Sequence, residues 1–177
     1  MPYIVAIKVN LGPYLKYVEP PLEPEPVEKH HVTILYIGDR KLSSEVLREL
    51  SEKIGTVPPF RIVFRGSRLY PSPAKPRALA APVVEGIEKL SRIRTIAIEV
   101  LRRYGIQPED RYLGEFSPHS TYARIRAKPT VELVKLLEKI VKQTSRIEVE
   151  QVVKHVHIAD TAMGRYVVVH SIALKTQ

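Results

Sequence analysis

Cysteine is absent from the 177 residues, and asparagine occurs once, at Asn10. Without cysteine there is no disulfide, no thiolate nucleophile and no sulfur-ligated zinc. No run approaches the 18 consecutive apolar residues that a membrane-spanning helix needs. The opening stretch MPYIVAIKVN reads as a strand and lacks the basic-then-apolar layout of a secretion signal, so a cytoplasmic protein without membrane partners is expected. Acidic residues are the minority: 19 Asp and Glu stand against 28 Lys and Arg, a net charge of +9. That balance suits an anionic partner, nucleic acid first, although a generic basic surface gives the same count. The near-absence of asparagine and the 27% of charged residues resemble the bias of thermophile proteins.

At 44% apolar, the chain buries a sizeable core and is expected to form one domain over 1–177, made of two lobes. Residues 3–9 read as a strand. The segment 11–29 holds five prolines, at 13, 20, 21, 24 and 26, a density that forbids a helix and favours extended chain. HVTILYI is a second strand, and SSEVLRELSEKIG a helix with Val46, Leu47, Leu50 and Ile54 on one stripe. FRIVFRGSRLY alternates as a strand, PSPAKPR turns, and ALAAPVV is a short apolar strand. The second half repeats this plan: a helix over 87–104, a polar loop, a histidine strand from 119, and a helix with Leu133, Val134, Leu137, Ile140 and Val141 at core spacing. Strands near 145–153, 155–160 and 165–174 follow. The order predicts an α+β fold of two similar lobes.

Two histidine strands carry the chemistry. In HHVTILYIG and PHSTYARIR, His31 and Thr33, and likewise His119 and Thr121, stand two residues apart and so share a strand face. Chance alone gives two His-x-Thr pairs in such a chain about 3% of the time, too rarely to pass over. Brought together, two imidazoles and two hydroxyls serve phosphate-ester chemistry. A neutral imidazole takes a proton from water, a protonated one gives a proton to the leaving oxygen, and hydroxyls bind the non-bridging oxygens. Histidine's ordinary pKa near 6.5 lets both forms coexist, so this scheme needs no metal and no cofactor. Two satisfied histidines at strand ends would show the same pattern without the function.

These segments resemble the paired His-x-Thr motifs of the 2H phosphoesterase superfamily, and within it the RNA 2′,3′-cyclic phosphodiesterase branch, also called the 2′-5′ RNA ligase branch. YPSPAKPRALAAPV resembles that branch's link between lobes and DTAMGRYVVVHSIAL its closing strands, so the likeness runs from about 30 to 174. It implies two lobes, each with an antiparallel sheet and flanking helices, enclosing a V-shaped groove. It further implies hydrolysis of 2′,3′-cyclic phosphate RNA ends to 2′-phosphates, with 2′-5′ ligation in some members; a monomer is expected. By that resemblance His31 is the acid and His119 the base, while Thr33 and Thr121 anchor the phosphate. Two departures stand out: the family has a helix where this chain has its proline-rich segment, and Ser120 replaces an apolar residue.

Other residues are expected around this set. Arg124 matches the family's arginine after the second motif and suits phosphate, though strict alternation turns it away from His119. Phe116 is the first candidate for stacking a terminal base, ahead of Tyr36, Tyr112 and Tyr122. His30 faces away from His31 and is expected at the surface or in support. His155 and His157 read as ordinary strand histidines rather than metal ligands. Arg92, Arg94, Arg102 and Arg103 are either solvated helix charges or a track for an RNA backbone. Rival readings are a 2H enzyme for ADP-ribose cyclic phosphate or 2′-5′ oligonucleotides, a non-catalytic RNA-binding module, and a histidine-ligated metalloenzyme.

Overall fold

The computed structural model describes residues 2–175; the outermost positions of the expected 1–177 domain lie outside the described residues. The expected strand and helix at the start are β1 (Tyr3–Lys8) and, after the second strand β3 (His31–Gly38), α2 (Ser44–Ile54). Ser43 caps α2 by accepting a hydrogen bond from the Val46 amide, and Val46, Leu50 and Ile54 are buried along one side. The capping is repeated in α4 (Val131–Thr144), where the Thr130 side chain accepts from the Leu133 amide and Leu133, Leu137 and Ile140 are buried. Between them, α3 (Ile87–Arg103) starts at Gly86, whose φ of +89° and whose approach to the Arg61 carbonyl leave no room for a side chain.

The single strand expected over 60–70 is two. β4 (Phe60–Arg65) and β5 (Arg68–Tyr70) are separated at Gly66, whose φ is +68°. Both pair antiparallel with β6 (Ala78–Glu85). The proline-rich segment is not uniformly extended either. Pro13 sits in the first turn of a one-turn helix, α1 (Gly12–Leu15), where a missing amide proton costs nothing. Glu23 and Pro24 form a short strand, β2, and Val27–Lys29 a 3-10 turn.

The remaining strands are β7 (His119–Arg124), β8 (Glu148–Val153), β9 (His155–Asp160) and β10 (Val167–Ala173). They complete two sheets, one in the order β10-β9-β1-β3 and the other β2-β7-β6-β4-β8, with β5 beside β6. The lobes are therefore not the two halves of the chain. The last two strands return to pair with the first, and β2, from the N-terminal third, closes the edge of the other sheet. One continuous core, including Val5, Ile34, Leu50, Phe64, Leu101 and Tyr122, joins the sheets and helices.

Ser120 lies fully buried on β7, and its hydroxyl has no hydrogen-bond partner among the described residues. A buried donor left unpaired costs about 1–3 kcal/mol, so Ser120→Ala is expected to raise the urea midpoint at unchanged m, by about 1 kcal/mol of stability.

Candidate functional site

β3 is the edge strand of one sheet and β7 lies next to the edge of the other; the two are in contact across the join. Both carry the same local irregularity. Opposite β1, the register steps from Val5↔Leu35 to Ala6↔Thr33, leaving Ile34 as an extra residue. Opposite β6, it steps from Leu79↔Ala123 to Ala80↔Thr121, leaving Tyr122 as the extra one. Each bulge follows the threonine of its motif. Its effect is to bury two successive residues and to return the next to the motif's face. His31, Thr33 and Tyr36 thus share one face of β3, and His119, Thr121 and Arg124 one face of β7. Arg124, which strict alternation would turn away, is brought back beside its histidine by the Tyr122 bulge.

A bulge leaves a carbonyl without its ladder partner, and buried carbonyls need one. The Ile34 carbonyl accepts from Arg94 Nη1 at 2.6 Å. The Tyr122 carbonyl accepts from the Glu25 amide at 2.9 Å, so the proline-rich segment caps the second bulge. Glu25 also binds Arg124 Nε through Oε2 at 2.6 Å. His30 fastens the same segment twice. Its Nδ1 accepts from the Leu11 amide at 3.0 Å, and its Nε2 donates to the Glu25 carbonyl at 2.8 Å. His30 is fully buried, so its expected surface place is corrected to an interior one, supporting the segment that abuts β7.

The two motif histidines are held alike. His31 Nδ1 lies 2.7 Å from the Lys29 carbonyl, and His119 Nδ1 lies 2.8 Å from the Ser117 carbonyl, each two residues back. A carbonyl only accepts, so each Nδ1 carries a proton and each Nε2 is the basic atom of the neutral ring. Each ring is also stacked against a tyrosine: His31 on Tyr166, with centroids 4.8 Å apart, and His119 on Tyr70, 3.9 Å apart. These two tyrosines were not anticipated from the sequence. Thr33 and Thr121 are half-buried, and neither hydroxyl has a hydrogen-bond partner among the described residues.

Burial pushes His31 below the ordinary histidine value of 6.5; the Lys29 carbonyl opposes this, while Lys8 and Arg124 reinforce it. Burial lowers His119 as well, against the Ser117 carbonyl. A pair that works with one ring protonated and the other neutral is most populated between its two pKa values. Both lie below 6.5, so kcat/KM is expected to peak below pH 6.5 and to fall as the acid loses its proton at higher pH. A rate profile still rising above pH 7.5 would contradict this.

The other candidates divide. Phe116 is half-buried against the core, with the Arg94 guanidinium 4.9 Å from its ring centroid. Tyr36 and Tyr112 are exposed. Tyr122 is wholly buried and is no platform for a base; its hydroxyl pairs with Ser67 at 2.6 Å. Arg94 belongs neither to a solvated face nor to an RNA track. It is buried and ion-paired with Asp110 at 3.1 Å. His157 Nδ1 lies 3.1 Å from the Tyr166 hydroxyl. Among the described residues, no group of three or more His, Asp or Glu is placed to hold a metal ion, and no helix is long and apolar enough to cross a membrane.

Comparison with known proteins adds to this geometry. The family model for the 2′-5′ RNA ligase superfamily matches residues 23–165. An RNA 2′,3′-cyclic phosphodiesterase of Aeropyrum pernix is 36% identical over 116 residues, 64% of this chain and 63% of that protein. One of Aquifex aeolicus is 31% identical over 134 residues, 75% of this chain and 66% of that protein. The chain thus spans just under two thirds of the length of these relatives. Among solved structures, TT0787 of Thermus thermophilus superposes over the whole of both chains with a TM-score of 0.71 at 20% identity. E. coli LigT complexed with ATP superposes over 99% of this chain and 98% of its own, with a TM-score of 0.64 at 16% identity. These structures share the α+β fold with two antiparallel sheets.

Proposed function

Since the chain belongs to the 2′-5′ RNA ligase superfamily, we propose that it is an RNA 2′,3′-cyclic phosphodiesterase, a single-domain cytoplasmic monomer acting on RNA ends. The observation that carries this reading is the duplicated strand: His, Thr and a bulge, with each Nδ1 tied to its own backbone and each Nε2 left as the reactive atom. His119 Nε2 takes a proton from water as its oxygen attacks phosphorus. His31, protonated, gives its Nε2 proton to the departing 3′ oxygen. The P–O3′ bond breaks, and the products are a 2′-phosphate and a free 3′-hydroxyl. Thr33 and Thr121 donate hydrogen bonds to the non-bridging oxygens, where charge builds in the transition state. Arg124, half-exposed and held through Nε by Glu25, turns its planar guanidinium to the same phosphate. Phe116 and Tyr36 flank the terminal nucleoside. The name of the Aeropyrum and Aquifex relatives supports the substrate, and the charge of +9 supports an RNA partner. Ligation through a 2′-5′ bond uses the same two proton transfers, with the 5′-hydroxyl of a second strand in place of water.

The test is to incubate the protein with a 2′,3′-cyclic-ended oligonucleotide and identify the product terminus. A 2′-phosphate is expected, at a rate unchanged by excess EDTA because imidazoles alone move the protons. A 3′-phosphate, or no product, would overturn the reading.

A further inference from the structure

A cavity of 260 Å³ opens on the sheet that bears His31, lined by Lys8, Gln151, Lys154, His155 and His157 together with two valines of β8. No carboxylate lines it. Lys8 stands opposite His31 in the β1–β3 register, and His157 opposite Ala6, which is itself opposite Thr33. Paired residues of an antiparallel sheet share a face, so the cavity continues the face that holds the catalytic motif. Tyr166 marks the way between them. Its ring stacks on His31, its hydroxyl lies by His157 Nδ1, and Lys8 Nζ is 6.0 Å from its centroid. Lys8 spends two of its three donors on the Val27 and His30 carbonyls, and Gln151 spends its side chain on the Asn10 amide and the Lys8 carbonyl. One Lys8 proton and the side chains of Lys154 and His155 have no partner among the described residues. Glu28, the one carboxylate felt by Lys8, lies outside the lining.

We infer that this cavity is a second phosphate subsite, which takes the phosphodiester on the 5′ side of the terminal nucleotide while the cyclic phosphate sits between the histidines. The inference rests on the phosphodiesterase reading. A ribonucleotide with a cyclic end has its remaining chain on the 5′ side only, so the next anion along the strand is that diester. Cations one tyrosine away from His31 are placed for it.

The test compares a nucleoside 2′,3′-cyclic phosphate, which lacks that diester, with the cyclic-ended dinucleotide, which has it. In the wild type the dinucleotide is expected to have a KM at least tenfold lower. In the double variant Lys154→Ala/His155→Ala that advantage disappears, while turnover of the mononucleotide stays within twofold. Affinity for a dinucleotide ending in a 2′-phosphate, read by calorimetry, should fall about tenfold, with a salt slope smaller by about 1 for the lost lysine contact. Equal loss on both substrates, or no change on either, would overturn the subsite. So would displacement of the probe, dependent on Lys154, by a strand carrying only a 5′-terminal phosphate, because the cavity would then serve an incoming 5′ end. Should the wild type turn over neither cyclic substrate, the phosphodiesterase reading fails, whereas the binding measurement still decides whether the cavity holds phosphate.

Discussion

His31→Ala and His119→Ala are each expected to lower kcat/KM on a cyclic-ended oligonucleotide by about 10²–10⁴-fold, the usual contribution of a positioned proton donor or acceptor. The double variant should fall well short of the product of the two losses. Once one end of the proton path is gone the other has nothing to complete, and groups that act as a unit are not additive. Stability should barely change. Both rings are half-buried at strand ends and each makes one hydrogen bond to a local carbonyl, so circular dichroism and thermal midpoint act as controls. The threonines provide a graded companion. Thr33→Val and Thr121→Val keep the β-branched shape but remove a hydrogen-bond donor, and each is expected to cost about 10²-fold in kcat with a folded protein. A histidine variant retaining turnover within fivefold of wild type would remove that residue from the mechanism.

The two motifs are matched in more than sequence. Each histidine is braced from behind by the carbonyl two residues earlier and covered by a tyrosine from another strand or loop. Each threonine precedes a bulge, and each bulge presents one further side chain to the shared face, Tyr36 on β3 and Arg124 on β7. The lobes depart from one another at that last position. An aromatic ring on one side and a guanidinium on the other suit an asymmetric ligand, a nucleoside attached to a phosphate.

The sequence spoke clearly where the signal was local. The period-2 alternation around His31 and His119 located both motif strands, and apolar stripes located α2, α3 and α4 within about a turn. What it hid is non-local. Nothing in YPSP or GRYVVV says which ring Tyr70 or Tyr166 will cover, because the partners lie far off in the chain. Arg94 sits in a basic helix and looks like its exposed neighbours until Asp110 folds over it. The prolines of 11–29 are expected to forbid any helix, yet Pro13 sits within the one-turn α1, and they say nothing of Glu25 docking on the Tyr122 carbonyl. The bulges defeated simple alternation at Arg124, since an extra residue in a strand leaves no mark in an otherwise regular pattern.

Arg94 carries the largest expected effect on stability. Its guanidinium joins three things: Nη1 donates to the Ile34 carbonyl at the bulge and to Asp110 at 3.1 Å, and Nη2 donates to the Tyr112 carbonyl at 2.8 Å. Asp110 in turn accepts from the Tyr36 amide at 3.0 Å and the Tyr112 amide at 2.8 Å. The pair is almost sealed from water, at 7% and 4% side-chain exposure. Removing one partner of such a pair strands the other charge, so Arg94→Leu is expected to cost about 3–5 kcal/mol in urea unfolding. The double variant Arg94→Leu/Asp110→Leu distinguishes two roles. Were the pair a self-contained ion pair, apolar replacement would restore most of the loss. Here it also satisfies the buried Ile34 carbonyl, which costs about 1–3 kcal/mol if left unpaired. The double variant is therefore expected to remain about 1–3 kcal/mol below wild type. It should also lose turnover, because the Ile34 bulge that keeps Tyr36 on the face of His31 and Thr33 is no longer held. Recovery to wild-type stability with full activity would show that the bulge needs no such anchor.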